Sequence, residues 1–306
     1  MGMISSLPEP PGVISWDRIV PMAAETKART LGRLEAILLR RLAEEQRTTL
    51  SVRQDRSLLR SVTPAYANLL SRMADKGVLI SLGGGRYVVS SWAGDGLAHA
   101  APFNVLLDAT LRPYGDYYLG FLSALIEHRL TDEDSWEVYV ALREDATFKG
   151  SQLVIDQRPV LVTRISGAHR WVGLEKVRAT RREHYWRSTL ERTLVDTLYR
   201  PKLSGEIELI AGAWVRAARR EDLDLAALCR CARAVSIAVA RRTGYMLSRL
   251  GHHQAAVEHL GDLRGARNQV LLDAARSYGA DAWSRDSEWG VTINVPERSL
   301  GGWLAQ

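Results

Sequence analysis

Along the first ninety residues the apolar positions change period several times, and each change predicts an element. Over residues 25–46, Leu31, Leu34, Ile37, Leu38 and Leu42 recur at steps of three and four, with Arg33, Arg40 and Glu44 between them. That spacing predicts an amphipathic helix of several turns. Residues 48–50 read as a short strand. Ser51 and Gln54 have capping-box spacing and predict a second helix carrying Leu58 and Leu59. After a turn at Ser61 and Val62, Thr63 as N-cap and Pro64 at the first helical position predict a third helix. Its apolar stripe is Tyr66, Leu69, Leu70 and Met73, and Gly77 ends it. Two β-rich runs, 78–80 and 86–89, flank Gly83-Gly84-Gly85 and predict a hairpin. Three helices closed by such a hairpin are the elements of a winged helix-turn-helix, whose last helix enters the major groove of DNA.

Residues 90–102 lose all periodicity, which places a domain boundary there and divides the chain into 1–92 and 93–306. In the larger part, 103–111 and 117–128 read as helices, and 137–142, 153–155 and 160–165 as strands. Beyond Ser188 the pattern is mostly helical until a closing strand at 290–295. Strands grouped in the middle and helices grouped later predict an α+β fold, not a βαβ repeat. A winged helix-turn-helix is thus expected to precede a larger mixed α/β domain with a mostly helical C-terminal part. The opening 5–12, with Pro8, Pro10 and Pro11, is expected to be poorly ordered.

Charge sharpens the expectation for the first part. The chain carries a net +6. Residues 1–90 hold 13 Lys and Arg against 8 Asp and Glu, a local excess of +5, which favours an anionic partner at that end. If Tyr66, Leu69, Leu70 and Met73 face the core, Ala65, Asn68 and Arg72 lie on the outer face of the third helix. Asn pairs in bidentate fashion with adenine and Arg with guanine, so Asn68 and Arg72 are the candidates for reading bases. Thr63, Arg53, Arg56 and Arg86 are the candidates for phosphates, which fix register without reading sequence. The competing reading of these residues is a solvated polar face on a module that docks protein.

Other chemistries fare less well. Cys229 and Cys231 stand two apart in an Ala-rich helical stretch, so their side chains diverge, and neither a zinc pair nor a disulfide is expected. Gly83-Gly84-Gly85 leads into a strand instead of a helix N-terminus, unlike a phosphate-cradling loop. A metal-dependent nuclease would need grouped carboxylates; Glu175-Lys176 and Asp156, read as a strand residue, supply only scattered ones. No enzyme activity, cofactor or metal is expected. No signal peptide and no apolar run of spanning length is read, so a cytoplasmic protein without a membrane partner is expected. Trp136, Trp171, Trp186 and Trp214 leave open a stand-alone transcription factor whose second domain binds a small molecule or protein.

Three segments of the second part carry a family resemblance. They are Tyr117-Tyr118-Leu119-Gly120-Phe121 running on to His128-Arg129-Leu130-Thr131, then Glu191-Arg192-Thr193-Leu194-Val195-Asp196, then Arg241-Arg242-Thr243-Gly244-Tyr245-Met246-Leu247. In that order, after a winged helix, they resemble the AbiEi family, the antitoxin and transcriptional-regulator halves of AbiE-type (type IV) toxin-antitoxin systems. The resemblance implies an autorepressor that binds inverted repeats in its operator. It also implies a second domain that is needed to counter a nucleotidyltransferase-like toxin. No stable complex with the toxin is implied, so no toxin interface carries over. The chain departs from the family at Arg129, where Gly is more common, and at Ser204-Gly205-Glu206, where a Gly-Gly pair is common. On their own chemistry, Ser188 and Glu191 have capping-box spacing, Arg192 and Asp196 pair on one helix face, and His128 meets a helix C-terminus. Reading a palindrome takes two copies of the module. Without a heptad seam, a monomer or a dimer formed on DNA is expected.

Overall fold

A computed structural model of the chain describes residues 31–90, 100–275, 283–296 and 299–300. The proline-rich start, the first turns of the helix expected from residue 25 and the boundary expected at 92 lie outside them. In chain order the elements begin with α1 (Arg33–Glu44), β1 (Thr49–Ser51), α2 (Arg56–Val62), α3 (Tyr66–Asp75), β2 (Leu79–Gly83), β3 (Arg86–Val89) and α4 (Phe103–Leu111). Then come β4 (Tyr117–Leu119), α5 (Phe121–Glu127), β5 (Val138–Arg143), β6 (Gln152–Ile155), β7 (Arg158–Ile165), β8 (Leu174–Arg178) and β9 (His184–Ser188). The rest is α6 (Leu190–Tyr199), α7 (Ile207–Ala218), α8 (Leu225–Val235), α9 (Ile237–Arg249), α10 (His253–Leu260), β10 (Val270–Leu271), β11 (Ser284–Asp286) and β12 (Val291–Ile293). Ten α-helices and three sheets among the described residues make a mixed, α+β chain.

The chain forms two compact units. The first runs up to residue 116 and includes 147–157 and 176–185; the second comprises 117–146, 158–175 and 186 onward.

In the first unit, Leu38, Leu39 and Leu42 of α1 meet Leu59 of α2 and Leu69, Leu70 and Met73 of α3 in one core. Leu50, Leu79 and Val89 close it from a three-stranded antiparallel sheet of order β1-β3-β2. Full burial of each such side chain favours folding by roughly 1.5–3 kcal/mol. The hairpin turn needs its glycines for backbone reasons: Gly83, Gly84 and Gly85 have φ of +78°, +59° and +71°, where a Cβ is strained. Two helix starts differ from expectation. Ser51 and Gln54 do not cap α2; the Asp55 carboxylate accepts the Ser51 amide at 2.7 Å and Asp55 is the N-cap. α3 opens at Tyr66 with Ala65 as N-cap, because Thr63 Oγ1 accepts the Ala65 amide at 3.3 Å and closes a turn before the helix.

In the second unit, β4 pairs antiparallel with β5 and parallel with β9 at Leu119 and Arg187, and β5 pairs parallel with β7. Here the expected helix 117–128 is corrected. Tyr117, Tyr118 and Leu119 are a fully buried strand, and the helix starts only after Gly120, because a bulky aromatic run fills a two-sided sheet interior. In the first unit, Asp156 also differs from expectation: with Gln157 it forms a turn at φ +49° and +66°, exposed, and not within a strand. The helical core of the second unit centres on Leu194, Ile210, Trp214, Leu228, Val239 and Met246. Asp224 and Ser236 cap α8 and α9 through the amides of Ala227 and Val239.

Candidate nucleic-acid interface

The outer face of α3 is set by the same periodicity that buries Leu69, Leu70 and Met73. Ala65, Ala67, Asn68, Ser71 and Arg72 are exposed, while Tyr66 is half-buried against the core. Among the described residues, the side chains of Asn68 and Arg72 make no hydrogen bond or ion pair, so both are open to a ligand in front of the helix. Arg53 and Arg56 are exposed and equally unpaired among the described residues. Arg60 joins them and was missed by sequence reasoning, although its four-residue spacing from Arg56 puts both on one face of α2. An open depression lined by Arg60, Pro64, Tyr66 and Ala67 lies at the junction of α2 and α3.

Two acids near this face, Asp55 and Glu35, are engaged. Asp55 is buried and paired with Arg47 at 2.7 Å, which raises the Arg47 pKa through that hydrogen bond. Glu35, only 3% exposed, accepts Lys76 Nζ at 2.9 and 2.7 Å and the Gly32 amide at 2.8 Å. Burial pushes its carboxyl up. The Lys76 and Gly32 hydrogen bonds, with the charges of Lys76 and Arg72, outweigh that and hold it below the usual range. Those pairings leave the exposed arginines of α2 and Arg72 of α3 facing outward, with Asp75 also exposed at the end of α3.

Thr63 is half-buried; its oxygen takes the Ala65 amide, which leaves its hydroxyl proton to donate outward. Arg86 behaves differently from expectation. Its guanidinium donates to the carbonyls of Ala109 at 2.9 Å and Leu82 at 3.3 Å, so it ties the hairpin to α4 in place of reaching a phosphate. No local signal announces a carbonyl 23 residues away.

A polar cluster lies at the centre of the second unit, on the residues of the family resemblance. Arg192 and Asp196 pair four apart, as expected, but both are fully buried, with Nε to Oδ1 at 2.9 Å. Tyr118 Oη donates to Asp196 Oδ2 at 3.1 Å and accepts from Arg192 Nη2 at 3.0 Å. Arg192 Nη1 caps the carbonyls of Arg170 and Val172. Burial, with Asp196 alongside, pushes the Tyr118 hydroxyl well above its ordinary pKa. Burial opposes the Arg192 charge, and Asp196 and Tyr118 outweigh it, so the guanidinium stays charged. The three side chains are hydrogen-bonded to one another and to the Arg170 and Val172 carbonyls, as in a structural latch.

Glu191 does not complete a capping box. Thr189 caps α6 by accepting the Arg192 amide, and Glu191 Oε1 accepts the Asp224 amide at 3.1 Å, ordering the start of α8. His128 ends α5, with Nε2 2.9 Å from the Ser188 carbonyl, and burial lowers its pKa. The tryptophans serve separate purposes. Trp214 is core with Nε1 on Thr197 Oγ1, Trp171 meets the Tyr118 ring edge-on, and Trp136 is 63% exposed.

No family model and no curated protein matches the chain. Among solved structures, it is similar to the RV2827C protein from Mycobacterium tuberculosis, with 14% identity and a TM-score of 0.62. The alignment covers 94% of this chain and 99% of the other. At that identity the likeness is one of fold. Among the described residues no helix is long and apolar enough to cross a membrane.

Proposed function

We propose that the chain is a DNA-binding repressor whose α1, α2, α3 and β1-β3-β2 sheet act as a winged helix-turn-helix. The observation that carries this reading is the outer face of α3, where Asn68 and Arg72 are exposed and unpaired beside Arg53, Arg56 and Arg60. Asn68 and Arg72 read base edges in the major groove; Arg53, Arg56, Arg60 and the Thr63 hydroxyl hold phosphates. Arg86 drops out of the contact set because its guanidinium is already engaged. With the AbiEi resemblance, the reading extends to an antitoxin that represses its own operon through inverted repeats and counters a nucleotidyltransferase-like toxin. No residue is assigned a catalytic role.

The test is fluorescence anisotropy of the full chain on duplexes from the region upstream of its own coding sequence, against an unrelated duplex. Arg72→Ala is expected to weaken the preferred duplex by about fivefold or more, since a bidentate base contact discriminates by about 1–3 kcal/mol, and to change the unrelated one far less. Wild-type affinity is expected to fall steeply as salt rises. A chain that binds neither duplex, or binds both alike with and without Arg72, overturns the proposal.

A further inference from the structure

The segment 176–185 is part of the first unit and is bolted to β1 by one carboxylate. Glu183 is 8% exposed. Its Oε1 accepts the Thr48 and Thr49 amides at 2.7 Å each and the Thr49 hydroxyl at 2.8 Å. Its Oε2 accepts the hydroxyls of Thr48 at 2.8 Å and Thr180 at 2.9 Å. Five neutral donors converge on one buried carboxylate, so its charge is solvated by the protein itself. The loop is closed by the Ala179 and Thr180 amides on the Glu183 carbonyl, and Arg182 is paired with Glu45 at 2.9 Å.

What remains outward on this short segment is Lys176, Arg178 and Arg181, all exposed. The acid that would balance them by sequence is the one turned inward. The attachment point, Thr48 and Thr49, begins the strand that ends at Ser51, two residues before Arg53. At about 3.3 Å per residue, Thr49 and Ser51 lie about 7 Å apart. The Glu183 carboxylate therefore ties this segment to β1 of the proposed DNA-facing module within one unit, although β8 itself pairs in the six-stranded sheet.

We infer that the segment 176–182, the end of β8 and the turn after it, is a second DNA contact, in which Lys176, Arg178 and Arg181 hold backbone phosphates flanking the site read by α3, and Glu183 is the positioning residue that fixes it. This rests on the DNA-binding reading of α3. The occupant is a double-stranded DNA backbone, because three outward cations without a base-reading Asn or Gln between them match a row of phosphates. Such contacts carry no sequence information.

Each neutralised phosphate contributes about 0.9 to the slope of log affinity against log salt concentration. Full-length Arg178→Ala/Arg181→Ala is expected to lower that slope by about 2 and to weaken the preferred and unrelated duplexes by the same factor. Arg72→Ala does the opposite, lowering preference first. Both arginines are exposed, and an unchanged melting curve confirms that the double variant is folded. Glu183→Gln, which leaves all three cations in place and loosens the anchor, is expected to lower the slope in the same direction by a smaller amount. An unchanged slope in the double variant, with Arg72→Ala still losing preference, overturns the loop contact and leaves the α3 reading standing. No wild-type binding to any duplex overturns both.

Discussion

At Arg129 the backbone turns left-handed, φ +59°, to end α5, and the side chain is exposed. A Cβ in that region costs about 1–2 kcal/mol, while glycine gives back about 0.5–1 kcal/mol through the entropy of the unfolded chain. Arg129→Gly is therefore expected to raise stability by up to about 1 kcal/mol in a denaturant titration, and a loss would show that Arg129 makes a contact its exposure does not suggest. The family resemblance anticipates glycine at this position, and the dihedral supplies the physical reason. Other residue-level assignments were not legible in the sequence. The Glu191 carboxylate had a local explanation as a cap, yet Thr189 took that role and Glu191 turned to an amide 33 residues on. Arg86 read as a wing cation until the Ala109 carbonyl claimed it. Asn68 and Arg72 were legible because helical period alone decides which side of α3 they occupy.

The fully buried closing strand β12 and the striped helices α3 and α4 were read from their apolar runs, whereas β4 was read as helix and β8 and β9 were not read. α3 and α4 follow their apolar spacing, whereas β4 joins the α5 pattern in one apolar run, and only Gly120 marks the change of period. The junction of α1 with α3 depends on a polar tie that no periodicity shows, the Lys76 contact with Glu35. Because the folded Glu35 pKa lies below its ordinary 4.5, the carboxylate adds stability above that pH, and the contribution is lost as pH falls through the lowered value. Lys76→Met is expected to destabilise the chain by about 1–2 kcal/mol at neutral pH, less than a fully buried pair because Lys76 is partly exposed. The gap between variant and wild type should close as acid protonates Glu35. Chemical denaturation at pH 7 and at successive steps below pH 4.5 reads it, and a gap that stays constant would mean the ammonium contributes through its methylenes alone.

At the scale of the whole chain, the first unit is discontinuous, and this bears on where it can be cut. Ending the chain at residue 92 removes the Ala109 carbonyl from Arg86 and the Glu183 carboxylate from Thr48 and Thr49. In a fragment of residues 1–92, the Thr48 and Thr49 amides are expected to exchange with deuterium far faster than in the complete chain. Equal protection would show that β1 closes without its distant partner. The same 135-residue separation between Thr48 and Glu183 also imposes an order on biosynthesis. At about 5–20 residues per second, a ribosome delivers Glu183 on the order of ten seconds after Thr48 has emerged. Through that interval the nascent module has its leucine core but an open seam at the edge of β1, which only later translation can seal.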